Sequence, residues 1–352
     1  MDRPTATGTG NRFDYLDAVR AVAALSVVLQ HLLDRVPTGP LRFGEAGINL
    51  GAFGVTLFFI ASGVIIPRSA ARSGLRRFWT GRFFRLFPLY WLTIVCAVAL
   101  FPLSLSWREV LVNFTMLQEF LGAPHVLGVY WTLGMEMIFY VLCSVVLFAP
   151  GLRRLSPHVL PLLALGGFVS LILLSLLTKH SAPLGRVQLL FASFLGVFFA
   201  NKRWFDFPTS AKLLGCTAVG TVLTLAAATR FYFVPEAPEF GRSFAHAGSY
   251  AASWVAAYAT FLAFFHFQDR RFPWWVLLLG TICYSTYLLH PFALAIVPAE
   301  WSLLVQLPAT LLLSYLLAAA SWYCLEKPLI GLGRRLSAGA PSERQHARVT
   351  PP

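Results

Sequence analysis

Between Glu45 and Arg68 the chain carries no charged residue. The heart of that run, NLGAFGVTLFFIASGVII, is long enough to cross a hydrocarbon layer, which takes about 20 apolar residues in helical form. Lipid offers the backbone no hydrogen bonds, so such a run is stable only as a helix that pairs its own N–H and C=O groups. Comparable runs recur along the sequence. Of the 352 residues 57% are hydrophobic and 12% charged, which excludes a soluble globule. The expected fold class is all-α: a polytopic transmembrane helical bundle of about ten spans. The spans are expected at residues 15–33, 50–67, 86–103, 131–149, 159–177, 187–200, 213–228, 249–266, 274–297 and 303–325.

The net charge of +13 invites a nucleic-acid reading. The placement of the charges argues against it. With the N-terminus inside, most of the 28 Lys and Arg residues fall in inner segments, notably Arg68, Arg72, Arg76, Arg77, Arg82 and Arg85. Outer segments hold only Arg35, Arg42, Arg108, Lys179, Arg186, Arg230 and Arg242. That bias is the positive-inside rule, so the basic charge reports topology, an even span count and cytoplasmic termini. The expected partner is a lipid bilayer and not nucleic acid.

Three regions follow. Residues 1–14 are a polar cytoplasmic tail, 15–330 the transmembrane domain, and 331–352 a cytoplasmic tail whose polar end, Ser337–Pro352, is expected to be disordered. Asp17 and Arg20 interrupt the first apolar run, which is therefore read as a retained span and not a cleaved signal. The stretch before the third span alternates Arg with Phe and Trp, as an interfacial helix would. Residues 104–130 either lie on the membrane or dip into the protein. The outer loop 229–248 is rich in aromatics and charge and suits contact with an acceptor. The five cysteines lie in hydrophobic segments without CxxC spacing, which argues for packing and against a disulfide framework or a zinc site. No metal is expected.

Ionisable residues inside spans are rare and mark function by default. Arg20 and His31 share the first span, eleven residues apart. At 3.6 residues per turn they occupy one face, about 16 Å apart along the axis. Sorted by depth, Asp17, Arg20, Ser62, Arg82 and Arg85 form an inner group, and His31, Glu136 and His290 an outer one. The inner arginines fit two readings: a site for an anionic ligand, since Arg binds phosphate and carboxylate through two N–H groups, or interfacial anchors. Arg20 also fits a salt bridge to Asp17. His31 fits a general base or an interhelical hydrogen bond. Glu136 is costly in an apolar run unless it is partnered; it either orients His31 or binds a donor. Tyr140, one turn beyond, is a candidate for binding substrate, and His290 fits either a substrate-binding residue or a capped structural one. Ser62-Gly63 is more often a packing feature than a nucleophile. The chain contains no GxSxG elbow, Walker loop, GxGxxG or HExxH.

The segments YLDAVRAVAALSVVLQH, LFFIASGVII, RFFRLFPLYWL, YWTLGMEMIFY, YSTYLLH and LEKP occur in that order between about residues 13 and 330. Together they resemble the integral membrane acyltransferase-3 family of polysaccharide, Nod-factor and macrolide acyltransferases. The resemblance implies an O-acyltransferase, usually O-acetyl, in the inner or plasma membrane of a bacterium. The implied donor is cytoplasmic acyl-CoA, acetyl-CoA in the usual case, acting as co-substrate with no permanently bound cofactor. The implied acceptor is a hydroxyl of a carbohydrate or glycoconjugate across the membrane. His31 would then handle the proton or the acyl group, directly or through an acyl-imidazole. Arg20, Arg82 and Arg85 would bind the donor, with Glu136 and Ser62 as supports of the site. Some family members add a further domain after the last span, and no such segment is expected within these residues. The alternatives are an acyltransferase acting on a lipid or a small-molecule antibiotic, and a transporter of an anionic solute, which lacks a donor and would show no loss of acyl product in His31→Ala. Oligomeric state is not legible.

Overall fold

The structure, a computed structural model, describes residues 13–35, 47–148, 177, 184–200 and 247–338. Among these residues there are helices and no strands. In chain order the helices are α1 (Asp14–Leu33), α2 (Leu50–Arg72), α3 (Leu75–Leu100), α4 (Trp107–Asn113), α5 (Trp131–Phe148), α6 (Leu184–Ala200), α7 (Ala247–His266), α8 (Trp274–Thr281), α9 (Cys283–Ile296), α10 (Leu303–Ser321) and α11 (Lys327–Ala338). A π turn, Trp322–Glu326, joins α10 to α11.

Five helical stretches are long and apolar enough to span a membrane, and a sixth results if α8 and α9 count as one. The spans expected at 159–177 and 213–228 lie outside the described residues, Leu177 excepted. Within the regions expected at 187–200 and 249–266, the apolar helices Gln188–Phe198 and Ala252–His266 are shorter than the other spans. Three differences from the sequence reading are physical. First, no interfacial helix precedes the third span: α3 runs unbroken from Leu75. Second, the span expected at 274–297 is two helices bent by 71° at Ile282. Third, a further helix, α11, follows the last expected span, and Gly333 lets it press against the Phe84 ring on α3.

Helix α1 is the central post, touching α2, α7, α8, α9 and α10. Ala18, Ala23, Ala24, Val27 and Val28 are buried along it. Its small side chains admit close neighbours. Gly54 of α2 lies so near the Ala23 carbonyl and Val27 that a methyl group there would overlap both. Gly280 of α8 meets the Asp17 backbone in the same way, which seats the α8–α9 bend beside the Arg20 turn. The start of α2 is fixed by Asn49, whose side chain caps the Ala52 N–H at 2.7 Å, and by Gln30 of α1, which accepts from the Leu50 N–H at 2.9 Å.

The segment 104–130 folds inward. A capping box between Ser106 and Glu109 starts α4. Its last residue, Asn113, is fully buried and donates to the carbonyls of Glu109 and Pro124 at 2.8 and 2.9 Å. Tyr90 and Trp91 of α3 donate to the carbonyls of Asn113 and Phe114. The irregular backbone is thus satisfied against α3, as burial requires. Of the cysteines, Cys96, Cys143, Cys283 and Cys324 are free thiols, and Cys216 lies outside the described residues.

Candidate active site

Two polar centres sit at opposite ends of one face of α1. At the first, His31 Nδ1 and His290 Nε2 are 2.8 Å apart, with the rings parallel to within 5°. His290 is fully buried, and His31 is half-buried in front of it. Sequence accounts for this placement. Residue 291 is proline, which has no N–H, so the carbonyl of Tyr287 four residues back loses its helical partner. His290 Nδ1 takes that carbonyl at 2.8 Å.

The hydrogen bonds assign the protons. A carbonyl only accepts, so His290 carries its hydrogen on Nδ1 and its Nε2 accepts. His31 must then donate from Nδ1, which leaves a lone pair on His31 Nε2. The chain Tyr287 carbonyl, His290, His31 therefore ends in a basic nitrogen. It holds the ring orientation and is arranged so that a proton added at Nε2 would be stabilised by the bond to His290. The Tyr287 hydroxyl anchors the far side, donating to the Val129 carbonyl at 2.9 Å and bonded to Thr132 Oγ1 at 2.7 Å.

The second centre is built on arginine. Arg20 Nη1 contacts Asp17 Oδ1 at 3.4 Å. Its charge is also felt by Glu136, Tyr140 and Cys283. Arg82 lies over the Tyr140 and Phe78 rings, 5.5 and 5.6 Å from their centroids, and its Nη2 reaches Ser69 Oγ at 3.4 Å. Arg85 stands close enough to Arg20, Arg82, Cys283 and Glu326 to interact electrostatically with each. Tyr284 of α9 ties this corner together by donating to the Leu86 carbonyl at 2.7 Å.

The outer group drawn from depth therefore divides. His31 and His290 meet. Glu136 goes to the arginine side, where the Tyr140 hydroxyl donates to Oε1 and Arg20 supplies the nearby charge. The hydrogen bonds of the described residues contain none between Glu136 and either histidine. Depth alone misassigned it because side-chain direction around a helix is not contained in depth. Ser62 is half-buried on α2, and its neighbour Gly63 is the point where α2 presses on α6. His290 lies behind His31, with no surface of its own to offer a ligand. The sequence reading did not single out Cys283, Ser285 or Glu326. For Glu326 a signal was present, a carboxylate in LEKP at the end of an apolar run.

Comparison with known proteins supports one identity. Residues 13–326 match a family described as an acyltransferase domain. The exopolysaccharide production protein ExoZ of Rhizobium meliloti (strain 1021) is 29% identical over 316 residues, covering 83% of this chain and 94% of that protein. The acyltransferase MdmB of Streptomyces mycarofaciens is 26% identical over 146 residues, covering 37% of this chain and 38% of that protein. No solved structure matches. With the family match running from α1 to the π turn, this multi-pass helical membrane protein belongs to the acyltransferase-3 family and is an acyltransferase.

Proposed function

We propose that the protein moves an acyl group, acetyl in the usual case, from cytoplasmic acyl-CoA to a hydroxyl of an extracytoplasmic carbohydrate or glycoconjugate. The observation that carries this reading is the separation of two chemistries along one helix: an arginine cluster suited to a polyanion, and a histidine pair ending in a free basic nitrogen. In this reading the arginine end of α1 faces the cytoplasm and binds the phosphates of CoA through Arg20, Arg82 and Arg85. The acyl thioester reaches His31 near the other face. His31 Nε2 takes the proton of the acceptor hydroxyl as its oxygen attacks the thioester carbonyl. The C–O bond forms, the C–S bond breaks, and the leaving thiolate receives the proton from the imidazolium. An ester and free CoA result. The choice of carbohydrate rests on the likeness to an exopolysaccharide production protein along nearly its whole length.

The test is membranes containing the full chain, supplied with labelled acetyl-CoA and the host's surface glycans. The expected result is release of free CoA with label in the glycan. Consumption of acetyl-CoA with unlabelled glycan removes the carbohydrate acceptor, and no consumption of acetyl-CoA with any acceptor removes the donor.

The histidine pair gives a further expected result. Pro291→Ala restores an N–H that competes with His290 for the Tyr287 carbonyl. Alanine favours a helix interior over proline by about 3 kcal/mol, so stability should hold or rise. Turnover should fall by roughly tenfold through a less well-held tautomer, with KM for acetyl-CoA unchanged. Thermal unfolding and steady-state kinetics on the same preparation check both halves. Unchanged turnover would show that the carbonyl does not hold the pair.

A further inference from the structure

Helix α10 turns one narrow face inward. Its buried residues are Gln306, Thr310, Ser314 and Ala318, each four positions after the last, while Leu304, Leu312 and Leu316 are exposed. The elements it packs against include α9, α1 and the π turn. Three of the four inward side chains are polar. Among the described residues each keeps one polar atom buried without a hydrogen bond: Gln306 Oε1, Thr310 Oγ1 and Ser314 Oγ. Gln306 is fixed from its other side, its Nε2 donating to the carbonyls of Ala299, at 2.9 Å, and Trp301. Two turns beyond Ser314, Ser321 donates to Glu326 Oε1 at 3.1 Å. Glu326 Oε2 is again buried without a partner among the described residues.

Buried hydroxyls on other helices turn back on their own backbone. Ser26, Thr56, Ser144, Ser253 and Thr286 each donate to the carbonyl four residues before. Thr310 and Ser314 do not, and their oxygens stay unspent where an unpaired polar group is most costly. The spacing supplies the partner. Residues four apart stand about 6 Å apart along a helix axis. A water bridging two groups through bonds of about 2.8 Å spans about 5.6 Å. One water therefore fits between Gln306 and Thr310, and one between Thr310 and Ser314. Past Ala318 the row leads to Glu326 Oε2. The chemistry selects the same occupant. The amide oxygen and the carboxylate at the two ends only accept, and the hydroxyls between them donate and accept. What joins them must donate at both ends, and the buried atoms leave room only for something as small as water.

We propose that the inward face of α10 is a water-binding site: a file of internal waters running from Gln306 at the start of the helix to Glu326 in the π turn. The site does not depend on the donor or the acceptor assigned above.

The test is radiolytic footprinting of the full-length protein in detergent, in which bound waters are split in place and label the side chains beside them. The expected result is labelling of buried residues of α9 and α10 in the wild type. It should fall by at least half in Thr310→Val and persist in Thr310→Ser, which keeps the hydroxyl. The thermal midpoint of the valine variant gives a second reading through its sign, because valine has nearly the shape of threonine. In a hydrated seam it breaks the file, and the midpoint should fall by about 2–4 °C. In a dry seam it removes an unpaired buried hydroxyl, and the midpoint should rise. Buried residues unlabelled in the wild type, labelling retained in full by Thr310→Val, or a midpoint that holds or rises would each overturn the proposal.

Discussion

Replacing His31 by glutamine is expected to lower kcat by about 10²–10⁴, the range a positioned general base supplies. Glutamine is the informative choice. Its amide N–H can still donate to His290 Nε2, so the buried acceptor keeps a partner, but it cannot take up a proton at neutral pH. Alanine removes both functions and strands a buried nitrogen, at a cost of about 1–3 kcal/mol. Comparing the two separates chemistry from stability. The account expects both variants to be inactive, with only the alanine variant less stable. The effects should be graded along the chain of hydrogen bonds. His31→Gln should cost most, His290→Ala should cost less because the base survives without its orienting partner, and Pro291→Ala least. A glutamine variant retaining a tenth or more of wild-type turnover would remove His31 as the base.

The second large effect is structural. Gly63 of α2 and Gly196 of α6 cross back to back. A methyl on Gly63 would overlap the Ser193 carbonyl, and one on Gly196 would overlap the Ile60 carbonyl and come within 3.0 Å of Gly63 Cα. Helices in lipid associate through close backbone contact at small residues. The obstacle here is backbone on both sides, so no rotamer change relieves it. Overpacking of this kind costs about 1–3 kcal/mol where side chains can move and more where they cannot. Gly63→Ala is therefore expected to lower the thermal midpoint sharply and reduce the monodisperse fraction in detergent. Ser62→Ala, one residue away on a half-buried face, should leave both near wild type. A Gly63→Ala protein as stable as its parent would mean that α2 and α6 do not cross at this distance.

Much of the architecture is legible in the sequence because hydrocarbon is a strict solvent. Apolar runs locate the helices around α1, α2, α5 and α10, and Gly63 beside Ser62 announces a close crossing. The shared face of Arg20 and His31 follows from eleven residues and a period of 3.6. What is not legible depends on distant parts of the chain or on rotation. His31 finds its partner 259 residues away. Glu136 was grouped with the histidines because depth was the only coordinate the sequence supplied; its bond runs one turn along its own helix, to Tyr140. The bend at Ile282 carries no proline, and its signal is Gly280, whose contact with the Asp17 backbone appears only in three dimensions. Pro291 was visible throughout, yet the carbonyl it releases matters only because a histidine precedes it.

The central claim is that one helix face joins a CoA-binding arginine cluster to a basic histidine. The most direct measurement is an experimental structure of the full-length protein with CoA bound. The account predicts the phosphates on Arg82 and Arg85, the pantetheine arm running along the Arg20–His31 face of α1, and the sulfur on the Nε2 side of His31. CoA bound away from the arginines, or with its sulfur at the arginine cluster and its nucleotide toward His31, would contradict it.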